Sequence, residues 1–282
     1  MLYIVKHITY AIIAFSFLSC QSVSKITGNE KIDDEGPVIT KEIEINQLKK
    51  IAISNAWDVH LIKSQTSKAV ITSHQNIIDL TEISTDKNEL EISFDKQIGK
   101  VKQKQIDIYY THQLEDIRLS ATAELQAENP LTLGQLKLKV SSTAKANLKL
   151  NADMLTLDVS SSAYAKLSGT IEESKLNASS GSTLKLELTA KKIEASASSG
   201  SDIQLNGSTD YLEVSASSGS GIDASGLTAK NITATASSGA SLKIDPQNKL
   251  NAKASSGSSI KYYTSPKNIE ISKSSDGRVS HQ

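Results

Sequence analysis

The sequence predicts an all-β protein, a right-handed parallel β-helix (solenoid) with coils of about 19 residues. Ser-Ser pairs recur at nearly constant spacing, apolar and polar residues alternate before each pair, and the apolar positions keep the same order in every repeat. Strict period-2 alternation is typical of a half-buried strand. Because an identical order of residues requires parallel stacking, we expect each coil to lie about 4.8 Å above the last.

The repeat itself carries this prediction. The first serines of the pairs are separated by 19, 19, 19, 19, 20 and 18 residues. They are Ser141, Ser160, Ser179, Ser198, Ser217, Ser237 and Ser255. Of the 21 positions that lie one, three and five places before these anchor serines, only Ser174 is polar. The positions five and seven places after the anchors are also apolar, so the five columns predict two strands for each coil.

A Ser-Ser-Gly element, as in SASSGS at residues 196–201, lies between the two strands of each coil. We expect its glycine to adopt positive φ at a bend where a Cβ would clash, and the stacked serine hydroxyls to bond one another and the backbone. Thr143 and Ser162 replace the glycine in the first two repeats, which predicts a milder or a strained bend. The variable intervals, without a six-residue subrepeat, favour a right-handed coil.

The chain is predicted to have four parts. Residues 1–19 have the features of a lipoprotein signal peptide, because Lys6 precedes an apolar run at 8–18 that is too short to span a bilayer. Cys20, the only cysteine, is the predicted lipid attachment site, and acyl chains would anchor the mature protein to the membrane. An ordinary cleaved signal with an incidental cysteine is the alternative. Residues 20–37 comprise this cysteine and a tether, 38–119 an irregular N-terminal part of the β-solenoid, and 120–282 the regular Ser-Gly-cornered repeats and a C-terminal cap.

Composition and motifs argue against several functions. Lys plus Arg and Asp plus Glu number 31 each and aromatic residues only 4%, which does not favour nucleic-acid binding. Cys and His show no zinc spacing and no G-x-S-x-G element is present. Two outward columns, one beside the second strand and one two places before the anchor serines, hold no stacked carboxylate pair. The sequence therefore predicts no cofactor, no metal site and no catalytic residue. Trp57, the only tryptophan, is expected in the core.

Three segments together resemble one known family. They are residues 48–61 (LKKIAISNAWDVHL), 88–92 (NELEI) and 114–120 (LEDIRLS), and the Ser-Gly repeats follow them. In this order they resemble the Bacteroidetes auto-transporter adhesin, head GIN domain family, over about residues 40–275. The resemblance implies a right-handed parallel β-helix on an envelope-anchored protein. Asn55, Thr264 and the pair Ser275-Asp276 depart from glycine-rich positions of the family, which puts tight turns there in doubt.

These observations predict a non-enzymatic cell-envelope lipoprotein of the outer membrane that is adhesin-like and binds a glycan or a surface protein through its β-helix faces. The candidate binding face is a set of Ser and Thr columns, because flat polar arrays suit weak, multivalent contacts. It comprises Ser196, Ser215, Thr235, Ser198, Ser217 and Ser237. Two alternatives are a polysaccharide-active β-helix enzyme and a structural envelope component without a ligand.

Overall fold

The computed structural model of the protein describes residues 31–94, 96 and 99–282. The predicted signal peptide at 1–19 and the predicted lipid site Cys20 lie outside these residues. In the part of the chain that is described, no helix is long and apolar enough to cross a membrane. The fold is a β-solenoid of about 9 turns with coils of about 19 residues, which confirms the predicted parallel stack and its period.

The N-terminal part begins the stack with short strands and one helix. Its elements are β1 (Val38–Glu44), β2 (Lys50–Ile53), β3 (Asp58–Lys63), β4 (Lys68–His74), α1 (Gln75–Asp79), β5 (Glu82–Asp86), β6 (Glu89–Ser93), β7 (Lys104–Tyr110), β8 (Asp116–Leu119) and β9 (Glu124–Ala127). β2 pairs with β6 and β8, and β3 with β7 and β9, all in parallel. β4 lies antiparallel to β1 and β7, and β5 antiparallel to β6. These antiparallel strands interrupt the parallel ladder at this end, and Trp57 is fully buried beneath it, as expected.

The regular part consists of long bent strands that pair in parallel. They are β10 (Leu131–Val140), β11 (Lys145–Val159), β12 (Tyr164–Ala178), β13 (Thr183–Ala197), β14 (Asp202–Ala216), β15 (Gly221–Ala236), β16 (Ser241–Ala254), β17 (Ser259–Tyr262), β18 (Asn268–Lys273) and β19 (Arg278–His281). The register follows the repeat, so that Leu136 pairs with Leu155 and Ile193 with Leu212. All the predicted inward positions before the corners are buried. The apolar columns therefore form one continuous core.

Each corner is a tight turn with two consecutive residues in the left-handed conformation. At Ser180 φ is 53° and at Gly181 it is 68°, and the amide of Ser182 closes the turn on the carbonyl of Ser179 at 3.3 Å. The amide of Gly181 donates to the carbonyl of Ser199 in the next coil at 3.1 Å. The backbone ladder thus continues through the corner. The second serine of each pair also adopts the left-handed conformation, which the sequence analysis predicted only for the glycine.

The expectation of a Cβ clash at the corner glycines is wrong. An ideal Cβ built on Gly200 meets no heavy atom within 4 Å, so the residue is needed for its backbone conformation and not for space. Thr143 and Ser162 adopt φ of 64° and 60°, which shows that the first two corners keep the same bend and are strained rather than milder. Asn55, at φ 71°, also keeps a left-handed turn, and its side-chain amide donates to the carbonyl of Phe94.

A second set of serines, not singled out in the sequence, is buried just after the corner. The hydroxyl of Ser201 donates to the carbonyl of Ala178 at 2.9 Å and accepts from the amide of Ser198 at 3.1 Å. The equivalent positions in other coils are Ser182, Ser220 and Ser258, each with the same two kinds of partner. These hydroxyls bond the backbone and not one another, so each buried hydroxyl satisfies its own hydrogen-bonding capacity.

Glycine is required for space at a second kind of position, inside the long bent strands β12 and β14. Gly169 and Gly207 have φ of 142° and 111°, and an added Cβ would lie 1.9 and 2.1 Å from the carbonyl oxygens of Leu150 and Leu188. In register these glycines alternate with buried leucines. The small residue lets the backbone approach the leucine in the coil below.

The C-terminal end of the described stack is the last coil itself, β18 and β19. β18 pairs only with β16 and β19 only with β17 within the described part of the chain. Ile269 and Ile271 continue the inward columns but are 48% and 39% exposed. No separate capping element follows them in the described residues, in contrast to the antiparallel strands at the other end.

Replacement of two glycines should separate backbone strain from steric clash. We expect Gly200→Ala to lower the free energy of unfolding by about 1 kcal/mol, because only its left-handed φ opposes a side chain. Gly207→Ala should cost roughly 3 kcal/mol or more, since its Cβ would overlap a backbone carbonyl. Chemical denaturation followed by circular dichroism measures both values. Equal losses for the two variants would contradict this distinction.

Ser174 is the polar exception in an inward column, and its buried hydroxyl has no hydrogen-bond partner among the described residues. We expect Ser174→Ala to raise the free energy of unfolding by about 1 kcal/mol, because it removes an unsatisfied buried polar group. Ser182→Ala is the matched control and should lower the same quantity by about 1 kcal/mol, since that hydroxyl is satisfied. Denaturation midpoints that shift in the same direction for both variants would disprove this difference.

Candidate functional site

The strand before each corner presents its outward side chains on one flat surface, here called the corner face. The surface is built by β13, β14 and β15, whose parallel register places equivalent residues of successive coils side by side. Its central members are Lys192, Glu194, Ser196, Ser198, Tyr211, Glu213, Ser215, Ser217, Asn231, Thr233, Thr235 and Ser237. Neighbouring coils are separated by about 4.8 Å, so the face repeats along the solenoid axis.

The structure brings together all six residues that the sequence singled out. Ser196 pairs in register with Ser215, and Ser215 with Thr235, and all three are exposed. The anchor serines of the same coils, Ser198, Ser217 and Ser237, are half-buried beside them. The six side chains thus form a contiguous patch of two columns and three coils.

The hydroxyls of this patch are free for an external partner. Among the residues that the structure describes, none of the six makes a side-chain hydrogen bond. The buried Ser201 and Ser220 behave differently, because each donates to a carbonyl of the preceding coil, at 2.9 and 2.8 Å. The serines therefore fall into two sets. Buried serines bond the backbone, and the surface serines of this patch have hydroxyls that make no hydrogen bond within the described residues.

Charged side chains lie beside the patch on the corner face. Glu194 and Glu213 pair in register, and the ammonium of Lys192 contacts the carboxylate of Glu194. The hydrogen bond to Glu194, followed by the charge of that carboxylate, raises the pKa of Lys192. Glu213 makes no direct ion pair within the described residues, but its charge also contributes to the raised pKa of Lys192, so one ammonium lies near two carboxylates.

Tyr211 is a member of the corner face that sequence reasoning missed. It is 59% exposed and lies two places before Glu213 on the outward side of β14. The equivalent outward positions are occupied by non-aromatic residues in the other coils, namely Gln135, Met154, Glu173, Lys192, Asn231 and Lys249. The alternation of β14 could have identified Tyr211, since Leu212 and Val214 face the core.

A shallow concavity of about 410 Å³ lies on the strand after the corner. It is lined by Lys185, Asp202 and the pair Asp223 and Lys243, whose carboxylate and ammonium are 2.9 Å apart. Partial burial raises the pKa of Asp223, but hydrogen bonds from Ser225 and Lys243 outweigh burial and hold the value below its usual one. In the described part of the chain, no group of three or more His, Cys, Asp or Glu is placed to hold a metal ion.

The fold and this surface define a parallel β-solenoid with an open, polar outer face. The chain belongs to the family described as "Putative auto-transporter adhesin, head GIN domain", whose model matches residues 47–187 and 172–266. Two overlapping matches are in keeping with a repeat that continues along the chain. The family name describes an adhesin and not an enzyme, and it points to an extracellular or envelope location.

Crystal structures of similar proteins share the fold. A "putative lipid binding protein" from Parabacteroides distasonis ATCC 8503 has a TM-score of 0.70 at 14% identity, covering 90% of this chain and 100% of that chain. A "putative adhesin" from Parabacteroides merdae ATCC 43184 has a TM-score of 0.68 at 20% identity, covering 89% and 99%. A "putative adhesin" from P. distasonis has a TM-score of 0.66 at 18% identity, covering 90% and 100%. A search of the curated proteins gave no match.

Proposed function

We propose that this protein is a non-enzymatic, adhesin-like lipoprotein of the cell envelope that binds a glycan or a surface protein through its corner face. The observation that carries the proposal is the patch of six uncommitted hydroxyls from Ser196, Ser215, Thr235, Ser198, Ser217 and Ser237. Membership of the adhesin family supports an envelope location and a role in contact. The proposed anchor is lipid on Cys20.

The geometry of the patch favours many weak contacts over tight capture of one small molecule. Each hydroxyl can donate one hydrogen bond and accept others, and a typical hydrogen bond contributes only about 1 kcal/mol net in water. Equivalent positions recur at each coil, so a repetitive partner can occupy several of them at once. Multivalency then raises the overall affinity without any single strong site.

A polar ligand on the corner face fits this protein better than an acyl chain bound inside the solenoid. One similar structure is described as lipid binding, which makes lipid a candidate to weigh. Here the inward columns are filled by buried side chains such as Leu212, Ile232 and Leu250, which an acyl chain would have to displace. The corner face offers hydroxyls and charges in place of an apolar strip. Both features favour a glycan or a polar protein surface.

Blocking the patch should abolish binding without unfolding the protein. We expect Ser215→Trp to weaken binding at least about tenfold, a loss of roughly 1.4 kcal/mol, because a bulky side chain would cover the central hydroxyls. The free energy of unfolding of this variant should stay within about 0.5 kcal/mol of the wild-type value, since the position is exposed. Ser208→Trp, an exposed serine outside the corner face, is the matched control and should bind normally.

The measurement is a binding screen of the protein against glycans and purified envelope components, followed by titration of each hit. Binding that survives Ser215→Trp and similar changes at Ser196 and Thr235 would exclude the corner face. Release of sugar products from a polysaccharide panel, lost on changing a cluster of charged side chains, would instead favour an enzyme.

The proposed lipid anchor has its own test. In cells fed labelled palmitate, the wild-type chain should incorporate the label and Cys20→Ala should lose it, because this cysteine is the only thiol in the sequence. Membrane association should fall with the label, since the acyl chains supply the apolar area that holds the protein at the bilayer. Palmitate incorporation that persists in Cys20→Ala would disprove the anchor.

A further inference from the structure

Tyr211 is the one aromatic side chain on the central corner face, and nothing in the solenoid fold accounts for its position. Among the exposed large apolar side chains of the described residues, it has the largest exposed fraction, 59%. Its neighbours in the same outward column are Lys192 and Asn231. The ring therefore stands beside polar side chains on a surface that is otherwise flat and hydrophilic.

We propose that Tyr211 is the stacking platform for a sugar ring of a neutral glycan, with Glu213 and Thr233 binding the hydroxyls of that ring. This inference rests on the proposed function, because it names the ligand class and the main contact of the same face. An aromatic ring offers an apolar face that matches the C–H face of a pyranose, and the phenol hydroxyl adds a polar contact at its edge.

The surroundings of Tyr211 supply the polar contacts that a sugar needs. Glu213 follows it two residues later on the same side of β14, at about 6.6 Å along the strand. Thr233 pairs in register with Glu213 and is exposed. Neither side chain makes a hydrogen bond within the described part of the chain. One carboxylate and one hydroxyl, from neighbouring strands about 4.8 Å apart, thus lie on the same face as the ring.

The charge of the face selects a neutral glycan over an acidic one. Lys192 contacts Glu194 and also lies near Glu213, so these three groups beside the ring carry one positive and two negative charges. A uronate or sulfate group placed there would meet a like charge, whereas a neutral hydroxyl donates a charge-assisted hydrogen bond to the carboxylate. From this subsite, a glycan chain can continue over Ser215 and Thr235, which pair in register on the same surface.

The test measures binding of the full-length protein to a panel of neutral and acidic polysaccharides, and then titrates a bound neutral oligosaccharide. We expect Tyr211→Ala to raise the dissociation constant about tenfold or more, in line with the loss of an aromatic anchor. Tyr211→Phe keeps the ring and should stay within about threefold. Tyr263→Ala removes a tyrosine that is 41% exposed outside the corner face, and it should bind as the wild type does.

The outcomes separate this inference from the function on which it rests. Loss of binding in both Tyr211→Ala and Ser215→Trp, with retention in Tyr211→Phe, supports the platform. Loss in Ser215→Trp alone leaves the corner face as the binding site and overturns the role of Tyr211. Binding that survives both changes overturns both proposals. Selective binding of acidic polysaccharides, or of an envelope protein and no glycan, overturns the assignment of a neutral glycan.

Discussion

Backbone hydrogen bonds between successive coils hold this solenoid, and the Ser-Ser-Gly corner keeps them in register. The amide of Gly200 donates to the carbonyl of Ser218 in the next coil at 3.1 Å, and the equivalent bond recurs along the corner. The ladder therefore does not stop where the chain turns. Because a shift of one residue would move each inward side chain to the outside, this continuous ladder fixes which columns form the core and which form the surface.

The same constraint produces the candidate binding face. Once the register is fixed, a serine that points outward in one coil lies next to its counterpart in the following coil, as Ser196 and Ser215 do. A serine three places after the anchor is carried inside instead, where Ser201 bonds two backbone groups. Serine thus stabilises the fold in an inward column and is available for contact in an outward column. The alternation of the strand determines which of the two directions each serine faces.

The fold could be predicted from the sequence because period-2 alternation and the repeat length act together in every coil. The inward columns, the corner and the burial of Trp57 all follow from these patterns. The double left-handed corner did not, because Ser180 gives no composition signal for positive φ. The antiparallel β4 and β5 were missed for a different reason, since alternation marks a strand without giving the direction of its partner. The right-handed sense of the coil stays a prediction.

Departures from the repeat contain the information that the repeat itself lacks. A residue that recurs in its column is explained by the fold, so the serines alone say little about a ligand. Gly169 and Gly207 alternate with leucines in one column, and the carbonyl of Leu188 at 2.1 Å from the ideal Cβ of Gly207 explains why a side chain is absent there. Tyr211 departs from an outward column where the fold imposes no such restriction. Polar residues such as Lys192 and Asn231 occupy the same column in the neighbouring coils without interrupting the strand pairing, and this is why we propose a contact outside the solenoid for the ring of Tyr211.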